Sequence, residues 1–201
     1  MESILDIKNL TPTLFYLAVG LISVIMYHKS NADYNSNTKR IHSIKSFMYL
    51  YKYIQISTFI VCIASIWSNH KYLFKIYPSG ELTTYIGIAV SGIAIVLFAA
   101  SRFSLGKNYS PCYDSYMPKN LKTTGVYSLV RHPIYSSNIL LMIGIFISSG
   151  SLIIAVNTVI LGIYYILSAF IEERAIVSKF PNYVSYKRRT GMFLPNFARM
   201  I

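Results

Sequence analysis

Five apolar runs separated by polar segments set the plan of this chain. The first, 10–27, would be roughly 27 Å long as a helix, close to the ~30 Å of a hydrocarbon core. Runs at 47–67, 82–101, 134–150 and 152–171 repeat the pattern. The fourth is short, which suits a tilted or half-length helix, and Ser148-Ser-Gly-Ser151 after it reads as the turn of a helical hairpin. In the third run, Gly87, Ser91 and Gly92 would let another helix approach closely. The pattern predicts an all-α integral membrane fold of about five transmembrane helices, or four plus a re-entrant hairpin.

The polar segments add detail. The longest, 102–131, contains Pro111, Pro118 and Gly125, so it reads as ordered loop rather than one helix. Beyond Glu172 the chain turns amphipathic and basic, predicting a helix at the membrane surface, broken near Pro181. No repeat or low-complexity tract divides it. One membrane domain, 1–201, is expected, with three spans in 1–101 and the chemistry in 102–201.

Composition strengthens the membrane reading. The chain is 54% hydrophobic and only 13% charged, against about 25% charged in soluble domains. Eighteen tyrosines suit interfacial belts, where a ring lies in lipid and its hydroxyl stays wet. The net charge of +12 does not point to nucleic acid, because the basic residues fall between the apolar runs. With the N-terminus outside, four lie in 28–46, five in 102–131 and six beyond Glu172, all inner segments, leaving Lys8, Lys52, Lys71 and Lys75 elsewhere. That bias predicts that 102–131 and the C-terminal tail share the cytoplasmic face. Residues 1–11 hold Glu2, Asp6 and a single Lys, so the first run is expected to stay as an anchor rather than be cleaved. Cys62 and Cys112 are too few for a zinc site or a disulfide framework and are expected to be reduced and structural, with no metal bound.

Two polar groups remain unexplained by topology. Arg131-His132-Pro133 precedes the fourth run, where a basic pair is a common anchor and Pro suits a first helical turn. Glu172-Glu173 abuts the fifth. Adjacent carboxylates there oppose insertion and repel each other unless a cation is near. The ordinary partner would be Arg174 or a tail lysine; the functional one would be a ligand's ammonium group. S-adenosylmethionine is a chemical match: a carboxylate suits its ammonium, Arg or His its carboxylate, and aromatic faces its sulfonium and adenine.

Four blocks carry a resemblance: Leu105-Gly-Lys-Asn-Tyr-Ser110, then Leu121-Lys-Thr-Thr-Gly-Val-Tyr-Ser-Leu-Val-Arg-His-Pro-Ile-Tyr135, then Glu172-Glu173, then Phe180-Pro-Asn-Tyr-Val-Ser-Tyr186 with Thr190-Gly191 and Pro195. Together they resemble the isoprenylcysteine carboxyl methyltransferase family and its wider phospholipid methyltransferase relatives, over about residues 102–197. The resemblance implies that Tyr127, Arg131, His132, Pro133, Tyr135, Glu172 and Glu173 bind S-adenosylmethionine, one Glu taking its ammonium. It implies Arg131, Glu173 and Arg174 as the catalytic set. The acceptor would be lipophilic or prenylated, taken from the membrane lipid, and most simply a prenylcysteine carboxylate; a phospholipid amine is the alternative. A lipid tail would enter laterally past Gly87, Gly92 and Gly144. The membrane would be a bacterial inner membrane or the endoplasmic reticulum. Ser137 and Pro181 depart from the family's usual Gly. A nicotinamide-dependent membrane reductase and a non-enzymatic protein with a structural ion pair are the competing classes.

Overall fold

The computed structural model describes residues 7–31, 40–43, 45–67, 75–110 and 114–196. Cys112 and Arg199 lie outside them. The apolar runs form helices α1 (Ile7–Asn31), α2 (Lys45–Trp67), α3 (Glu81–Leu105), α5 (Pro133–Ser149) and α6 (Leu152–Lys179). A single turn, α4 (Val126–Leu129), precedes α5, and α7 (Tyr183–Arg189) follows α6. Among the described residues, α3 and α6 are long and apolar enough to cross a membrane; 10–22, 48–64 and 133–149 are shorter apolar stretches.

Local chemistry sets the helix ends. At the start of α3, the Gly80 amide donates to Thr83 Oγ1 at 2.9 Å, and Glu81 in the first turn opposes the positive end of the helix dipole. α5 opens on Pro133, which has no amide hydrogen to leave unsatisfied. It closes on Gly150 in the left-handed region (φ 64°), a conformation that favours glycine. The hairpin turn thus falls where the sequence placed it. α6 does not stop at Ile171: nothing in 172–179 breaks a helix, so it continues to Lys179 and carries both glutamates within it. At about 1.5 Å per residue it spans roughly 42 Å, so one end projects beyond a hydrocarbon core. Pro181 then disfavours helix at Phe180, and the expected surface helix is reduced to the short α7.

Helix packing relies on small residues. A Cβ added at Gly87 would sit 2.4 Å from the Gly144 carbonyl oxygen, and one at Gly144 would sit 2.8 Å from that of Gly87. α3 and α5 therefore meet backbone to backbone. This closes the lateral route expected for a lipid tail between Gly87 and Gly144; Gly92 faces open space. α1 joins the pair through Tyr16, whose hydroxyl is 2.6 Å from Ser148 Oγ. α2 docks on α6, with Asn157 Nδ2 donating to Thr58 Oγ1 at 2.9 Å. In apolar surroundings such bonds contribute about 1 kcal/mol. Tyr16→Phe is accordingly expected to lower stability by about that much, measured by thermal unfolding in detergent.

The loops sort to two ends. At one, strand β1 (Arg40–Ser43) pairs antiparallel with β2 (Asp114–Tyr116), and Val130 bridges Gly191 in parallel. The sequence pattern contained no sign of these strands. At the other, the Ile76 amide donates to the Gly150 carbonyl at 2.8 Å. This grouping puts the 102–131 loop beside the segment after α7, as the charge distribution predicts.

Candidate functional site

The site forms where the C-terminal segment folds back under the start of α5. The amides of Arg131 and His132 donate to the carbonyls of Gly191 and Met192 at 2.8 and 3.0 Å. Ser136 Oγ donates to the Phe193 carbonyl at 2.7 Å. This pairing fixes the backbone from which the Arg131 and His132 side chains turn toward α6.

One turn of α6 sends its two carboxylates into different surroundings. Glu173 is almost wholly enclosed, its side chain 1% exposed. Arg131 Nε donates to its Oε1 at 2.7 Å, His132 Nε2 lies 3.2 Å from the same oxygen, and Lys187 Nζ reaches Oε2 at 2.7 Å. Arg131 Nη1 also donates to the carbonyls of Lys187 and Thr190. Glu173 thus binds the loop before α5 to α7. Glu172, 14% exposed, lines a cavity of about 120 Å³. The Tyr135 hydroxyl donates to its Oε1 at 2.6 Å, and His132 Nδ1 is 3.8 Å from Oε2.

Aromatic rings complete the wall. His132 stacks on Tyr135 with ring centres 5.3 Å apart, and Tyr135 stacks on Tyr165 at 4.8 Å. Tyr127, Tyr183 and Tyr186 line the same cavity. Burial pushes their hydroxyls well above the ordinary tyrosine value, so all three remain protonated. The Tyr186 hydroxyl donates to the Tyr127 carbonyl at 2.5 Å, which braces α4 against α7.

Of the residues singled out in the sequence, Tyr127, Arg131, His132, Tyr135 and Glu172 line the cavity. Pro133 and Glu173 lie behind the wall, both fully buried. Arg174 is exposed on α6 and does not line it. A tail lysine was one of the ordinary partners expected for the glutamates, and Lys187 fills that role for Glu173; Tyr183 and Tyr186, though part of the last of the four blocks, were given no place in the site. Their spacing of three residues was the available signal, since it puts both on one helix face. The arrangement offers a braced carboxylate, a cation held by its own counter-ion, and several rings. It is suited to a ligand carrying both an ammonium and a flat or cationic apolar part.

A family model described as phospholipid methyltransferase matches residues 82–182. The cobalt-zinc-cadmium resistance protein CzcN of Cupriavidus metallidurans is 32% identical over 108 residues, which cover 53% of this chain and 50% of that protein. The chain therefore spans about half the length of that curated relative. Among solved structures, the eukaryotic intramembrane Ras methyltransferase ICMT (isoprenylcysteine carboxyl methyltransferase) aligns with a TM-score of 0.55 and 23% identity, over 73% of this chain and 52% of that one. At that identity the likeness is one of fold.

Proposed function

The chain belongs to the phospholipid methyltransferase family, and from that premise we propose that it is a multi-pass membrane methyltransferase dependent on S-adenosylmethionine. Its acceptor is a lipid-linked group presented at the cytoplasmic face, most simply the carboxylate of a prenylated cysteine. The observation that carries the reading is Glu172: a carboxylate on the cavity wall, held by the Tyr135 hydroxyl at 2.6 Å, among tyrosine rings at the end of a long apolar helix.

The residues fit such a cofactor. Glu172 would take its ammonium, pre-oriented by Tyr135 and His132, and the rings of Tyr127, Tyr135 and Tyr183 would hold its cationic and aromatic parts. When bound, S-adenosylmethionine supplies an electrophilic methyl group on a sulfonium. The chain's own contribution is alignment and exclusion of water, with no covalent attachment to the protein. Arg131, already neutralised by Glu173, acts here by positioning the loop. A carboxylate acceptor arrives as a nucleophile and needs no base.

The second reading, N-methylation of a phospholipid amine, is favoured by the description of the family itself. It requires a group to take a proton from the amine, and His132 or Glu172 would serve.

Calorimetric titration of the detergent-purified protein with S-adenosylhomocysteine tests the cofactor. Micromolar binding is expected, weakened roughly 10- to 100-fold in Glu172→Gln by loss of one charge-assisted interaction. Unchanged affinity in that variant removes Glu172 from the site. Absence of binding in folded wild type, or binding of reduced nicotinamide dinucleotide phosphate alone, overturns the methyltransferase reading. A screen of prenylcysteine carboxylates against lipid amines then separates the two acceptors.

A further inference from the structure

The charged groups on the cavity wall do not balance in pairs. Glu172 is engaged by Tyr135 and lies near His132. The guanidinium of Arg131 is matched by Glu173 and two carbonyls. Lys122 lines the same cavity and is half-buried, yet no side-chain hydrogen bond or ion pair engages its ammonium among the described residues. An ammonium that lines a cavity is available to pair with an anionic group the cavity takes in.

The stretch just before it is tied to two other elements. Asn108 Oδ1 accepts from the Lys119 amide at 3.1 Å, and Lys179 Nζ, from the end of α6, donates to the Pro118 carbonyl at 2.9 Å. Lys122 thus follows a fixed stretch of backbone, which lowers the entropy lost when its ammonium is held in one place.

We propose that Lys122 anchors a carboxylate inside the cavity whose wall Glu172 also lines. This rests on the methyltransferase reading and deepens it. Two carboxylates fit that chemistry: the one on the amino-acid end of the cofactor, and the one on a prenylcysteine acceptor. Lys122 sits in the Leu-Lys-Thr-Thr-Gly stretch before Tyr127, on the opposite side of the sequence motif from Arg131 and His132.

The test compares wild type, Lys122→Met and Lys122→Arg. Calorimetry uses S-adenosylhomocysteine and its decarboxylated analogue; kinetics use an N-acylated S-prenylcysteine as substrate and its carboxamide as inhibitor. If the cofactor's carboxylate is the partner, Lys122→Met weakens S-adenosylhomocysteine roughly tenfold or more and leaves the analogue unchanged. If the acceptor's carboxylate is the partner, cofactor affinity is kept, KM for the prenylcysteine rises by a similar factor and carboxamide inhibition does not move. In either case Lys122→Arg recovers most of the loss. Equal behaviour of wild type and Lys122→Met toward every probe overturns the anchor while leaving the methyltransferase reading intact. A folded wild type that binds no S-adenosylhomocysteine overturns that reading and the anchor with it.

Discussion

Replacing Glu173 with alanine is expected to lower stability by about 3–5 kcal/mol, the usual cost of removing one partner from a buried charge network. One carboxylate, 1% exposed, meets Arg131, His132 and Lys187 at 2.7, 3.2 and 2.7 Å. Without it, Arg131, itself 8% exposed, keeps the carbonyls of Lys187 and Thr190 but loses its counter-charge. Lys187, 44% exposed, can turn to water, and α7 loses its tie to α6. The check is thermal unfolding in detergent, alongside S-adenosylhomocysteine binding. Glu173→Ala should fail in both, whereas Glu172→Gln should fold normally and lose affinity alone. A Glu173→Ala protein within about 1 kcal/mol of wild type would show that the network is not a structural hub.

Gly144→Leu should be disruptive to a similar degree. Its first added carbon would stand 2.8 Å from the Gly87 carbonyl oxygen and from the Ser91 amide nitrogen, and 2.4 Å from Ser91 Oγ. A serine side chain can rotate away; a helix backbone cannot. Overpacking an ordinary core costs about 1–3 kcal/mol, and here two helices must separate along their contact, so a loss at or above the top of that range is expected. The separation also draws the start of α5, with Arg131 and His132, away from α6. Yield of monodisperse protein and its unfolding temperature read the effect. Gly92→Leu is the matched control, because nothing lies within 4 Å of a Cβ placed there.

These two sites show where sequence pattern was sufficient. Four of the apolar runs became helices nearly as bounded, the fifth ran on to Lys179, and Gly87 with Ser91 marked a close helix contact. Side-chain size and hydropathy are local properties, so they survive in a one-dimensional reading. The partner, Gly144 with Ser148, carries the same spacing, but which helix it meets is a matter of tertiary arrangement. The Arg131, His132 and Glu172 grouping was legible only because several blocks recurred together in order. Residue types alone left a structural ion pair equally open. What the sequence hid was the division of labour between the adjacent glutamates. A helix turns about 100° per residue, so neighbours look in different directions, and only the packing of α7 shows which one is enclosed. A tail lysine was open as a partner for the glutamates, but which lysine meets which glutamate depends on the reversal at Pro181 that brings Lys187 to Glu173. The short pairing of β1 with β2 lacks any alternating pattern long enough to notice.

The return of residues 190–193 beneath α5 also ties completion of the site to residues far along the chain. The amides of Arg131 and His132 find their acceptors on Gly191 and Met192, some sixty positions later in the chain. All five long helices precede those carbonyls in the chain. A chain ending after α6 would contain its long helices and both glutamates yet lack α7 and the acceptors on Gly191 and Met192. The cavity wall closes only once residues 183–192 have folded back against α5 and α6, so forming the helices and completing the cavity are separate steps.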